Sequence, residues 1–328
     1  MKILFPAVDR SIRVATHFTQ FQKALSKVAD VDFLFVDVPR GWKTGTYATR
    51  IMNGSIRPER VIDKQLKLKK YDFLVTDSDF VFVHEDWKNM DIPTAIIIED
   101  SQKGRNPNLI MKWALQNRYD IIFYKYKVYL KNYGNYSEIF KYIWLPHSID
   151  IEMFKDYGLE KKYPVLMVGQ RNPKVYPNRY KAYQSLKNKP WFTAIGRPIE
   201  SNVGDEYENK VKWPIRKDYA KLLNQSDICI TCGSTFKFPV MKYFEIPASK
   251  SLLVSNWFEE LGDLGFEDGQ NMVVADYSKL DLQMTSLLND KKKLKRIQNN
   301  GYDLIHKFHT CDIRADQMVR HLEQWLKK

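Results

Sequence analysis

Short apolar runs alternate with polar or amphipathic stretches along the whole chain. In the first half they are KILFPAV at 2–8, VDFLFVDV at 31–38, DFLVT at 72–76, TAIIIED at 94–100 and DIIFY at 120–124. In the second half they are PVLMVG at 164–169, WFTAIG at 191–196, DICITCG at 227–233, SLLVS at 251–255 and MVVAD at 272–276. The runs are short, rich in Ile, Val and Phe, and continuous rather than alternating. That is the pattern of parallel strands buried on both faces. Segments of helical length lie between them, such as NLIMKWALQNR at 108–118. Strand–helix alternation in both halves predicts two α/β units, each around a parallel sheet. The seam between them falls in WLPHSIDIEMFKDYGLEKKYP, residues 144–164.

Two amphipathic helices close the chain. Leu294, Ile297, Leu304, Ile305 and Phe308 recur at helical spacing in the first. Ala315, Met318, Val319, Leu322, Trp325 and Leu326 do so in the second, with Thr310 or Asp312 available as its cap. There is no internal repeat and no low-complexity segment.

Composition narrows the class. With 328 residues, 44% of them hydrophobic and 14% aromatic, the chain can bury the cores of two ordinary domains. The apolar start at 1–8 is interrupted by Asp9 and Arg10 before a signal-like core forms, and no run reaches the roughly 20 apolar residues of a membrane span. A soluble, cytoplasmic protein is the expectation. Three cysteines, Cys229, Cys232 and Cys311, give no disulfide framework. The CITC spacing lies on an expected strand, where residues three apart face opposite ways, and no second CxxC completes a zinc site. The net charge of +13 is spread evenly, with 23 basic against 16 acidic residues up to Leu145 and 29 against 23 after it. There is no basic tail of the nucleic-acid-binding kind; the overall field favours anionic substrates or an association with anionic surfaces.

Ligands of open parallel sheets bind outside the carboxyl ends of the strands. Three second-half loops belong there. Gly169 is followed by QRNPK with Arg171 and Lys174; Gly196 by Arg197; and the strand at 227–231 by CGSTFK, with Gly233, Ser234, Thr235 and Lys237. Each loop supplies a glycine that lets backbone approach a phosphate, a small hydroxyl or a cation, and together they suggest a diphosphate site. Any one of them is equally an ordinary turn with solvated charges. Neither GxGxxG nor a Walker sequence is present, so a dinucleotide enzyme or P-loop ATPase is not indicated. A helix starting near Pro239 would carry Glu245 one to two turns in, where its carboxylate could accept from both hydroxyls of a ribose. The alternative is a surface glutamate.

These residues resemble a known family. MKYFEIPASKSLLVSNWFEELGDLGFEDGQNMVVADYSKL at 241–280 and NNGYDLIHKFHTCDIRADQMVRHL at 299–322 are similar to the C-terminal signature of GT-B glycosyltransferases, particularly the CgeB-like spore-maturation group. WLPHSIDIEMF at 144–154 is similar to the linker of the wider group 1 glycosyl transferases, and VLMVGQRNPKVYPNRYKAYQSL at 165–186 to the opening of their second domain. The resemblance covers roughly residues 144–322. It implies two Rossmann-like domains with a deep cleft between them: an acceptor-binding domain at 1–145, a nucleotide-sugar domain at 146–308, and a last helix at 309–328 crossing back to the first. It implies a hexosyltransferase using a UDP-type nucleotide sugar, with no resident cofactor or metal. Glu245 would hold the donor ribose, and Arg171, Lys174 and Lys237 would lie near the diphosphate; Gly169, Gly196, Ser234 and Thr235 are candidates from the loop reading above. Two positions depart from the family pattern: Lys237 stands where relatives have a first glutamate, and Lys250 where many have glycine.

Transfer also needs a base for the acceptor hydroxyl. The loop after TAIII faces the expected cleft and carries Glu99 and Asp100, of which Asp100 is the first choice; its other role is a cap or turn. His17, after the first strand, is the second choice. Asp77 and Asp79 in TDSDF read as turn formers rather than metal ligands. His147 and His309 lie near the interdomain crossings and are expected to be structural. KYKVYLKNYGNY at 125–136 interleaves Tyr and Lys and is an acceptor-binding candidate or a solvated helix. The acceptor is open among glycan, protein, small molecule and nucleic acid. The competing functions are a nucleic-acid binder using the basic surface and a sugar-nucleotide epimerase.

Overall fold

The computed structural model describes residues 1–7, 17–35, 71–77, 92–99, 119–127, 141–196 and 216–327. Among them, the elements of the first half are β1 (Lys2–Ala7), α1 (His17–Val28), β2 (Asp30–Phe35), β3 (Phe73–Asp77), β4 (Thr94–Ile98), β5 (Ile121–Tyr124) and β6 (Lys141–Trp144). Next come β7 (Tyr163–Val168), α2 (Pro177–Leu186), β8 (Phe192–Ile195), α3 (Arg216–Asn224), β9 (Ser226–Ile230), α4 (Lys242–Ala248) and β10 (Leu252–Ser255). The chain then forms α5 (Glu259–Asp263), β11 (Val273–Val274), α6 (Leu280–Asn289), α7 (Lys291–Phe308) and α8 (Cys311–Leu326).

The strands build two sheets, ordered β2-β1-β3-β4-β5-β6 and β11-β10-β9-β7-β8. Every pairing is parallel. All ten expected strands are present, with ends displaced by a few residues. The sequence reading missed β6, whose four residues KYIW bury only Ile143 fully, as suits an edge strand.

In the N-terminal sheet, alternate residues share a face: Ile3, Phe5, Phe73, Val75, Ala95, Ile97, Ile121 and Phe123 pack in one cluster with Phe21 and Leu25 of α1. The same cluster takes in Cys311, Ala315, Met318, Val319 and Leu322 of α8. The last helix therefore lies against α1 in the first half, with Lys27 Nζ 2.9 Å from Asp312. Thr310 caps α8 by accepting from the Ile313 amide. Two residues assigned to apolar helix faces are half-exposed: Phe308, the last residue of α7, and Leu326 at the far end of α8.

The C-terminal sheet is covered on both sides. Leu166, Val168, Cys229 and Leu253 pack with α3 and α4; Val165, Met167, Ile228, Ile230, Leu252 and Val254 pack with α2, α6 and α7. Each fully buried apolar side chain of this size contributes about 1.5–3 kcal/mol. The residues after β6 pair with the α7–α8 junction: Ile149 donates to the His309 carbonyl at 2.9 Å, and Cys311 to the Ile149 carbonyl at 3.1 Å. The two passages between the halves thus run side by side. All three cysteines are buried free thiols. Among the described residues, no helix is long and apolar enough to cross a membrane, and no group of His, Cys, Asp and Glu is arranged to hold a metal ion.

Candidate functional site

Because the C-terminal strands are parallel, their carboxyl ends form one edge. The chain order reverses there between β7, which continues outward to β8, and β9, which leads to β10 and β11. Such a reversal opens a crevice at the adjacent strand ends. The loops expected to meet there do meet. The Thr235 amide donates to the Val175 carbonyl at 2.9 Å, joining the loop after β9 to the loop after β7. The Gly169 amide donates to the Ile195 carbonyl at 3.0 Å, bringing Gly196 alongside.

Two glycines are required by geometry. Gly169 has φ +118°, a conformation costly for other residues, and its missing β-carbon would stand 3.1 Å from Arg179 Nη1 and 3.4 Å from Lys242 Cε. At Gly233 a β-carbon would stand 2.6 Å from the Phe258 ring and 3.0 Å from the Phe238 carbonyl.

The cations divide into held and exposed. Arg171 stacks over the Tyr183 ring at 4.3 Å, and its Nη2 is 3.0 Å from the place of a β-carbon on Gly196. Its Nη1 is buried with no hydrogen-bond partner among the described residues. Lys174 is exposed, its amide bonded to Asn172 Oδ1 at 3.0 Å. Ser234 and Lys237 both adopt left-handed backbone, φ 61° and 57°. Lys237 lines a cavity of about 280 Å³ with Trp257, Phe258, Glu259, Glu260 and Asp263, and with Lys127 from the first half. Lys127 is ion-paired to Asp263 at 2.7 Å.

Glu245 is half-buried in the first turn of α4, which begins at Lys242 rather than near Pro239. Pro239 lies before it, spanned by a hydrogen bond from the Val240 amide to the Phe238 carbonyl at 2.9 Å. The Glu245 carboxylate accepts from the Tyr219 hydroxyl at 3.1 Å, so it is anchored rather than loose on the surface. Burial, reinforced by Glu245, holds the Tyr219 phenol well above its ordinary pKa and keeps it protonated as the donor.

Sequence reasoning passed over Arg179. It lies on α2, buried, and donates from Nη1 to the Gln170 carbonyl at 2.9 Å and from Nη2 to Thr231 Oγ1 at 3.0 Å. It therefore ties the loop after β7 to the end of β9, across the reversal point. An arginine two residues into a helix that opens with Pro177 could have signalled this, since its side chain reaches back toward the preceding strand end.

Of the base candidates, Asp100 lies outside the described residues, and of His17 only the backbone, opening α1, is described. Arg197 and Asp79 also lie outside them. Glu99 ends the β4 run, and its Oε1 is 3.8 Å from His147 Nε2, which is 3.1 Å from the Tyr126 hydroxyl. His309 sits between Arg314, 2.6 Å from Nδ1, and the Leu264 carbonyl, 2.8 Å from Nε2. It is thus a neutral imidazole that accepts from the guanidinium and donates to the carbonyl, its pKa lowered to about 4 by burial and then by Arg314. The Tyr/Lys stretch is corrected in part. Tyr126 is buried and stacked on Phe238 at 4.1 Å, and Lys125 is buried over the Phe21 ring, so neither is a free acceptor platform. Residues 128–136 lie outside the described ones.

Residues 180–320 match the model of the family described as glycosyl transferase-like. No curated protein matches the chain by sequence. Among solved structures, sucrose-phosphate synthase from Thermosynechococcus elongatus superposes with a TM-score of 0.67 at 12% identity, over 100% of this chain and 99% of that one. HepE of Anabaena, in complex with UDP and glucose, gives 0.60 at 15% identity over 99% and 100%. The N-terminal domain of a Candida albicans trehalose-6-phosphate phosphatase gives 0.66 at 9% identity over 98% and 96%. The fold is that of the GT-B glycosyltransferases, two parallel sheets with their helices. The third neighbour carries the name of a different activity, so function has to be argued from the site.

Proposed function

We propose that the chain is a metal-independent glycosyltransferase that moves a hexosyl unit from a nucleotide-diphosphate sugar, of the UDP type, to an acceptor hydroxyl. One observation carries this: the Arg171 guanidinium, whose buried Nη1 has no partner among the described residues, lies against Gly196 where three loops converge at the reversal point of the C-terminal sheet. A buried donor without an acceptor is costly, and a diphosphate supplies acceptor oxygens and the opposite charge together. The UDP bound to the similarly folded HepE, and the glycosyl transferase-like match over residues 180–320, support the choice of ligand.

In this reading residues 146–308 hold the donor, residues 1–145 the acceptor, and the reaction occurs in the cleft between them. Glu245, already fixed by Tyr219, accepts from the ribose hydroxyls. Arg171, Lys174 and Lys237 neutralise the diphosphate as it departs, which is where charge develops in the transition state. Asp100 or His17 takes the acceptor proton. The test is calorimetric titration with UDP- and GDP-sugars, repeated on Glu245→Ala. Absence of binding by every nucleotide sugar would refute the proposal. Product analysis without acceptor separates transfer from epimerisation, which needs none.

A further inference from the structure

The diphosphate reading leaves one buried cation unexplained. Arg179 is 3% exposed and spans the reversal point between β7 and β9. Its partners there are a carbonyl, a hydroxyl and the Tyr176 ring, over which it stacks at 4.2 Å, all of them neutral, and its Nε is buried with no hydrogen-bond partner among the described residues. None of the described carboxylates forms an ion pair with it. Tyr219, Tyr243, Tyr277 and Cys229 are among the groups that feel its charge. Burial keeps all three phenols protonated and pushes the thiol up to about 12, so none of them supplies a negative charge. Lys242 Cε lies 3.4 Å from the place of a β-carbon on Gly169, which Arg179 Nη1 approaches to 3.1 Å, and Glu245, one turn along α4, is bonded to Tyr219.

A buried cation with no counter-charge costs the folded state a desolvation penalty that carbonyl and hydroxyl partners only partly offset. An apolar or amide side chain would fill the same space without that cost. Resting on the donor-site reading above, we infer that Arg179 is a positioning residue whose uncompensated charge is completed by the donor's diphosphate. It acts through two groups. Its Nη1 fixes the Gln170 carbonyl, and with it the loop that presents Arg171; its Nη2 fixes Thr231, from which the Gly233–Lys237 loop departs. Its Nη1 lies 3.1 Å from the place of a β-carbon on Gly169, close enough for its field to reach an anion bound at that loop. The ligand-free protein is therefore less stable than it would be with a neutral side chain here, and the bound anion reverses the difference.

Thermal unfolding of the full chain, alone and with UDP or inorganic pyrophosphate, tests this on Arg179→Gln and Arg179→Lys. In the ligand-free protein, Arg179→Gln keeps its Tm within about 2 °C of the parent or raises it. The same variant loses at least tenfold in UDP affinity and most of the stabilisation by pyrophosphate. Arg179→Lys, which keeps the charge without the fork, recovers part of the affinity. A purely structural arginine behaves oppositely: Arg179→Gln then unfolds, or drops in Tm without ligand, while the ligand-induced shift in any folded variant survives. Either result overturns the inference and leaves the donor-site reading standing. If neither UDP nor pyrophosphate stabilises the parent protein, both fall.

Discussion

The two sheets share their hand, their connections and their apolar strands, but they differ in how they treat buried polar groups. In the N-terminal half such groups are matched. Thr94 gives its amide and hydroxyl to Asp120 at 2.7 and 3.2 Å, and Thr76 meets Tyr119 at 3.1 Å. The unmatched atoms described there are the indole N–H of Trp144 on edge strand β6 and Nδ1 of His321 on α8, whose ring lies against Phe123. In the C-terminal half the described unmatched atoms are more numerous: Ser249, Glu260, Tyr277 and Asn299 each bury one, as does Arg314 at the start of α8, and those of Arg171 and Arg179 are donors at the carboxyl edge of the sheet. A folded chain satisfies its buried polar groups unless something else is to satisfy them. On the donor-site proposal, the first sheet is scaffold at its described positions, and the two arginines of the second are the part of it that an anion would complete.

That contrast predicts a separation of stability from binding, sharpest in the core of the first sheet. Ile97 is fully buried in the middle of β4. Ile97→Ala is expected to cost about 2–5 kcal/mol in urea unfolding. Where the variant remains folded, its UDP affinity should match the parent's within a factor of two or so, since nothing at the C-terminal edge has changed. A large loss of affinity would mean that the halves are not energetically separate.

The passage between the halves gives the next effect. His309 is neutral in the folded chain with a pKa near 4, whereas an unfolded imidazole titrates near 6.5. Between these values the unfolded state holds a proton that the folded state does not. Stability contributed by this group is therefore full above about pH 6.5, falls as pH drops toward 4, and levels off below. The span is about 3 kcal/mol. Urea midpoints at pH 7 and pH 4, compared between the parent and His309→Gln, isolate it: the variant should be less stable at pH 7 and show the shallower fall. Equal slopes would assign the acid sensitivity to other groups.

Much of this architecture was legible because it is carried by local pattern. The ten continuous apolar runs became ten strands; the central ones, such as β4, β5 and β10, are buried along their whole length, while the edge strands β2 and β8 are only partly buried at their described positions. β6 was not legible, because an edge strand of four residues with half-exposed Lys141 and Tyr142 has no such pattern. That the loops after β7 and β9 meet at one edge was legible from the parallel strand pattern. Arg179 was not, because what singles it out is the absence of a carboxylate partner, which only the folded chain reveals. The stacking of Tyr126 on Phe238 was hidden for the same reason: the two residues are far apart in the sequence, and the Tyr/Lys interleaving masked a buried ring.

At the edge of the second sheet, binding should respond more than stability. Arg171→Gln is expected to lower UDP affinity about tenfold, or about 1.4 kcal/mol, with urea stability changed by no more than about 0.5 kcal/mol. Glu245→Ala should lower affinity by a similar factor but also cost about 1 kcal/mol of stability, because it strands the Tyr219 hydroxyl. Comparing UDP with 2′-deoxy-UDP sharpens the assignment. If Glu245 accepts from the ribose, the parent discriminates between the two and the variant does so less. Unchanged discrimination would move the ribose elsewhere.

The smallest effect concerns Lys250, which follows α4 in left-handed backbone at φ 57°, where the resemblance leads one to expect glycine. Lys250→Gly removes the β-carbon that this conformation disfavours, a gain of up to about 1 kcal/mol. It also removes the contact of Nζ with Asp156 at 3.1 Å and its approach to the Tyr302 ring at 5.2 Å. A partly exposed ion pair of this kind is worth about 0–1 kcal/mol. The backbone is untouched, so Lys161 keeps its bond to the residue 250 carbonyl at 2.9 Å. The two changes nearly cancel, and the net shift in urea stability should stay within about 0.5 kcal/mol, falling toward loss at low salt and toward gain at high salt, where the ion pair is screened. UDP affinity should not move, because Lys250 lies at the far end of α4 from the strand edge. A salt-independent loss above that bound would mean that the lysine is held in place by packing rather than by charge.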